Sequence, residues 1–273
     1  YKLSDYSQIA GTITIIFECI SFMIASMIFI SFYRKAMEFR RPALIVALIN
    51  TFFAVIKFIP FIFNWPCLTE NLKSPDFSGY LTSMLFIIPY DLIKLFIFIT
   101  AGYVIYTYLD LRPLRRDWKS AWYWIDILIT CIIFIGLTES LIYFIHPVTS
   151  EQGRKISDLM LSYYVSKEVG LFHIASCAPW VEEVTWRFFW PALLLYTFRN
   201  VRLKWVYSIV ITSALWSIAH AGMLNPEWMR FIQIFVYGLL LGWLFKKRGL
   251  EACLASHFMS NIILTAIHLH GQF

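Results

Sequence analysis

Charge is scarce in this chain. Asp, Glu, Lys and Arg together make up 15% of its 273 residues, against roughly a quarter in soluble domains. Hydrophobic residues make up 59%, aromatics 19%, and mean hydropathy is +0.66. That balance excludes a water-soluble globule. Cysteine is sparse too: Cys19, Cys67, Cys131, Cys177 and Cys253 include no CxxC pair, which argues against a zinc knuckle or a disulfide framework. Cys177 lies close to an acidic pair but reads as a core thiol rather than a nucleophile. No internal repeat and no low-complexity segment interrupts the chain.

What is present is apolar sequence in blocks near the ~20 residues that a spanning helix needs. The pattern predicts an all-α, polytopic membrane bundle of about eight transmembrane helices in a single domain covering 1–273. The spans fall at about 8–33, 43–63, 80–109, 122–146, 170–198, 204–223, 228–246 and 251–270. The first block is too long for the apolar region of a signal peptide. The stretch Thr149 to Lys167 is polar and mildly amphipathic, suited to the membrane surface.

The net charge of +6 falls mostly in short loops, so it reads as a topology signal and not as a nucleic-acid footprint. Basic clusters occur at Arg34/Lys35/Arg40/Arg41, at Arg112/Arg115/Arg116/Lys119, at Arg199/Arg202/Lys204 and at Lys246/Lys247/Arg248. The loops between them carry little or mixed charge, including Glu70 with Lys73 and Glu227 with Arg230. The positive-inside rule places the basic loops in the cytoplasm and both termini on the other side. The membrane would be the plasma membrane of a prokaryote or the endoplasmic reticulum of a eukaryote. Trp65, Trp118, Trp122, Trp124, Trp205 and Trp228 fall near predicted helix ends, as an interfacial belt does.

Against this background Glu182-Glu183-Val-Thr-Trp-Arg187 stands out. Ionised groups are costly at bilayer depth, so such residues mark candidate sites. Glu18, Lys57, Asp91, Lys94, Asp126 and Glu139 also lie in or near apolar blocks and read as interfacial or structurally paired charges. The acidic pair is different because two later segments carry complementary groups. Ala178-Pro179 predicts a helix start or kink just before it. Glu183 and Arg187 are four apart and share a helix face; Glu182 points about 100° away. Trp216 and His220 are four apart, as are His257 and Asn261. A carboxylate beside an imidazole can activate a water. An imidazole beside a carboxamide can donate to an oxyanion. That set suffices for peptide hydrolysis without a covalent intermediate.

Glu182-Glu183-x-x-x-Arg187, Trp216-x-x-x-His220 and His257-x-x-x-Asn261, in that order, resemble the three-motif signature of the CAAX protease and bacteriocin-processing family (CPBP, or Abi), which includes the Ras-converting prenyl-protein proteases. The motifs place the family's catalytic core at about 170–270. The resemblance implies an intramembrane glutamate protease that uses neither metal nor cofactor, with a site opening to the cytosol. Glu182 and His220 would activate the water, and His257 and Asn261 would form the oxyanion hole. Glu183 and Arg187 would order the site, and Trp216, where the family usually has phenylalanine, would line it. The expected partners are the bilayer and a membrane-associated peptide or protein substrate, lipidated or a leader or sorting peptide. A zinc enzyme lacks support because no HExxH is present. Ser213 and Ser217 lack a Gly-x-Ser-x-Gly setting, and Asp91 and Asp126 lack glycine-flanked partners. The alternative from another class is a non-catalytic scaffold, immunity or chaperone protein on the same fold.

Overall fold

In lipid every backbone N–H and C=O must be satisfied within the protein, so uninterrupted apolar runs form helices. The computed structural model describes residues 3–56, 75–115, 117–151, 153–154, 167–220 and 223–270. Lys57, Trp65, Cys67, Glu70, Lys73, Arg116 and most of the stretch 149–167 lie outside the described residues, as does the end of the predicted second span.

The helices are α1 (Leu3–Ser31), α2 (Tyr33–Glu38), α3 (Arg40–Ile56), α4 (Pro75–Tyr108), α5 (Ala121–Ile145), α6 (Lys167–Glu183), α7 (Trp190–Thr197), α8 (Lys204–Ala219), α9 (Glu227–Arg248) and α10 (Leu250–His270). A π-helical turn, Val184–Phe189, joins α6 to α7. Two-residue strands β1 (Val148–Thr149) and β2 (Leu224–Asn225) pair antiparallel, Val148 opposite Asn225 and Thr149 opposite Leu224.

The protein is an all-α polytopic membrane bundle. Among the described residues, Ile88–Tyr108, Ala121–Ile145, Glu227–Arg248 and Leu250–Ile267 are long and apolar enough to cross a membrane, and Ile16–Ser31 and Lys204–Ala219 are shorter apolar helices. Large apolar side chains face outward, Phe144 at 77% and Ile30 at 73% exposure, as lipid-facing residues do and a water-exposed surface rarely does.

Secondary charges in the apolar blocks are paired. Lys94, 4% exposed, lies 3.5 Å from Asp91 and 3.4 Å from Glu18. Asp126 on α5 accepts from Lys247 Nζ at 2.8 Å and Arg248 Nε at 2.6 Å at the end of α9. Pairing of this kind lowers the cost of burying each charge.

These contacts orient the site. The start of α5, the end of α9 and the start of α10 share one end of the bundle, where Leu250 N–H also donates to the Pro113 carbonyl. The end of α5, the end of α8 and the start of α9 share the other end with the β1–β2 pair. Glycines set the spacing of α8 and α9: a Cβ on Gly238 would stand 2.7 Å from Ser213 Cβ, and one on Gly242 would stand 2.6 Å from Ile209 Cγ2. Small residues four apart let two backbones approach closely, which carries the end of α8 over the start of α9.

Candidate active site

Two prolines shape the acidic segment. Pro179 lies inside α6, so the helix runs through it where the sequence predicts a start or a kink. Proline has no N–H for the carbonyl four residues back, here Ala175. Asn261 Nδ2 on α10 donates to that carbonyl at 3.3 Å. Pro191 sits at the start of α7 and likewise withholds an N–H from Arg187. The ladder widens into the π-helical turn just before it, the kind of local irregularity that frequently occurs at functional sites.

Two adjacent carboxylates at the end of α6, just before the turn, have different surroundings. Glu183 is fully buried: its Oε1 meets His257 Nδ1 at 2.8 Å and its Oε2 lies 3.5 Å from Arg187 Nε. The Arg187 guanidinium is also buried, and its carbon stands 4.2 Å from the centroid of the Trp216 ring, a cation–π distance. Glu182 faces the other way. Its Oε2 accepts from Trp216 Nε1 at 2.8 Å and lies 3.9 Å from His220 Nε2.

Both imidazoles are oriented. His220 caps the end of α8, and its Nδ1 stands 2.9 Å from the Trp216 carbonyl. A carbonyl only accepts, so Nδ1 carries the proton and Nε2 is directed toward Glu182. The Glu183 carboxylate likewise takes the Nδ1–H of His257. Aromatic edges brace the rings: Trp216 to His220 at 5.3 Å, Trp216 to His257 at 5.7 Å and Tyr237 to His257 at 5.5 Å between centroids, all near perpendicular.

Glu182, Trp216, His220, His257 and Asn261 line one cavity of about 640 Å³, and Glu183 and Arg187 lie buried in its wall. The cavity reaches Thr149 and Leu224 of the β pair, so it occupies the end of the bundle opposite the basic ends of α9 and the loop before α5. The seven residues predicted from the sequence are thus brought together. Sequence reasoning missed the Glu183–His257 contact, the Trp216–Glu182 hydrogen bond and the Arg230 side of the cavity. Arg230, read from the sequence as part of a loop, is in the first turn of α9 and lines the cavity with Gln233, Thr138 and Tyr237. The three-residue spacing of Arg230 and Gln233 on a helix was the available signal. Among the described residues no three His, Cys, Asp or Glu side chains converge as metal ligands.

Residues 166–263 match the family model described as type II CAAX prenyl endopeptidase Rce1-like. This segment is similar to that family. It contains all three motifs on which the resemblance rests. The chain is also 32% identical over 89 residues to the sporulation-killing factor biosynthesis protein SkfC of Bacillus subtilis (strain 168). That alignment covers 32% of this chain and 17% of SkfC. No solved structure matches the chain. The matched segment supplies α6 from its first residue, the π-helical turn, α7, α8, α9 and most of α10. The cavity also draws Phe134, Thr138 and Ile142 from α5, outside that segment.

Proposed function

We propose that the protein is an intramembrane endopeptidase that hydrolyses a peptide bond of a membrane-associated substrate with a water activated by Glu182 and His220, and that residues at about 170–270 form its catalytic core. The observation that carries this reading is the approach of Glu182 Oε2 to His220 Nε2, 3.9 Å apart on the wall of the cavity. A water hydrogen-bonded to both atoms fits that separation. The geometry supports a division of roles. Nε2 of His220 has its lone pair free because Nδ1 donates to the Trp216 carbonyl. Glu182 is held from behind by Trp216 Nε1, which fixes Oε2.

The water attacks the scissile carbonyl as its proton passes to the Glu182–His220 pair, and the leaving amine later takes that proton. The tetrahedral oxyanion is met by the His257 imidazole and by the second N–H of the Asn261 amide, whose first goes to Ala175. Glu183 and Arg187 orient His257 and Trp216 from within the wall. No covalent enzyme intermediate is needed.

The deciding experiment uses the full chain in liposomes and a random decapeptide library, with products identified by mass spectrometry. Wild type cuts at defined bonds and Glu182→Gln does not. Equal cleavage by both, or no cleavage by either, favours the non-catalytic scaffold and overturns the proposal.

A further inference from the structure

The cavity that Glu182 lines also carries a positive charge that the hydrolytic scheme leaves unused. Arg230 Nη1 donates to Gln233 Oε1 at 2.7 Å, and Gln233 Nε2 donates to Thr138 Oγ1 at 2.8 Å. Gln233 is 4% exposed and Thr138 3%. The amide is therefore clamped at both ends between α9 and α5, and it tethers the guanidinium by one corner. Arg230 Nε is enclosed without a hydrogen-bond partner. Among the described residues no carboxylate oxygen stands in ion-pair contact with this guanidinium.

A cation at this depth without a contacting anion is costly. Arg230 lines the cavity, and the guanidinium edge away from Gln233 carries two parallel N–H groups, the enclosed Nε and Nη2, whose spacing matches a carboxylate accepting side-on. An uncharged carbonyl would satisfy one donor and none of the charge. Glu182 lines the same cavity and repels a second anion, so an incoming carboxylate is steered to the Arg230 wall and away from the reacting pair.

We infer that Arg230, positioned by Gln233 and Thr138, is a specificity residue that binds a carboxylate of the substrate at a fixed distance from the scissile bond. The inference rests on the reading of the cavity as a peptide-cleaving site. The carboxylate is either the free C-terminus of the substrate or an Asp or Glu side chain. The chemistry of capture is the same for both.

The test uses the full chain in liposomes and a random decapeptide library made in two forms, with a free C-terminal carboxylate and with a C-terminal amide. Preference for the free-acid form assigns the terminus. Enrichment of Asp or Glu at one position from the cut, in both forms, assigns the side chain. In Arg230→Gln the preference, whichever it is, collapses, with kcat/KM for carboxylate-bearing peptides down about 10- to 100-fold and the loss in KM rather than kcat. Arg230→Lys, which keeps the charge without the fork, restores part of it. No carboxylate preference in wild type, or the same preference in Arg230→Gln, overturns the inference while hydrolysis stands. If wild type cleaves nothing, hydrolysis falls, and retention of the same peptides on immobilised protein decides the subsite alone. Retention that favours carboxylate peptides and is lost in Arg230→Gln sustains it; equal retention by the two proteins overturns it.

Discussion

Asn261 donates to the carbonyl of Ala175, the acceptor that Pro179 deprives of its helical N–H. One amide therefore ties α10 to α6 and presents its remaining N–H to the cavity. If that N–H serves the oxyanion, Asn261→Ala should lower kcat by about 10²–10³ and leave residual turnover, the usual effect of removing one oxyanion donor. Steady-state rates on a peptide found by the library digest test this, and an unchanged kcat excludes Asn261 from the reaction.

Glu182 and His220 have partly exposed side chains in the cavity wall, at 24% and 23%, so truncating either removes chemistry with little loss of packing. Glu182→Ala and His220→Ala should each abolish turnover while melting within a few degrees of wild type. Normal turnover by Glu182→Ala in a protein with an unshifted melting curve would refute the assignment.

Arg187 behaves oppositely because it and Glu183 are buried together at 1% and 0% exposure. Removing the guanidinium leaves Glu183 enclosed with His257 as its remaining close partner. Arg187→Ala should cost about 3–5 kcal/mol of stability, visible as low yield and a lowered melting temperature. The double variant Glu183→Gln/Arg187→Met should recover part of that stability without recovering activity. Equal melting of Arg187→Ala and wild type would show that the pair does not matter for folding.

The basic ends of the helices and the cavity lie at opposite ends of the bundle, so cytoplasmic basic loops and a cytosolic site opening are mutually exclusive. The positive-inside rule favours a cavity that faces the non-cytoplasmic side. Thr149 and Arg115 are both exposed, one beside the cavity and one in the basic loop. Compared with wild type as background, Thr149→Cys in intact cells should react with a membrane-impermeant maleimide, and Arg115→Cys only after permeabilisation. The reverse pattern would invert the topology and restore a cytosolic opening.

Much of the site was legible along the chain because its rarest features are local. Glu182, Glu183 and Arg187 are conspicuous wherever they fall in apolar sequence, and four-residue spacing puts Trp216 with His220 and His257 with Asn261 on shared helix faces. Less visible were contacts between distant segments. His257 meets Glu183 across 74 residues and Trp216 meets Glu182 across 34, distances over which periodicity carries no information. Arg230 was hidden for a related reason: beside a loop, an arginine looks solvated until packing of α5 against α9 gives it a cavity to face.

Composition and hydropathy alone determined that this protein is a bundle of membrane helices, since lipid permits few other ways to satisfy the polar groups of the backbone. The order of polar residues within those helices determined which side chains could do chemistry. Only the tertiary structure decided which carboxylate is sealed into the wall and which faces the cavity. His257 of α10 meets Glu183, while Trp216 and His220 of α8 meet Glu182, and those partners come from distant helices that meet only in space.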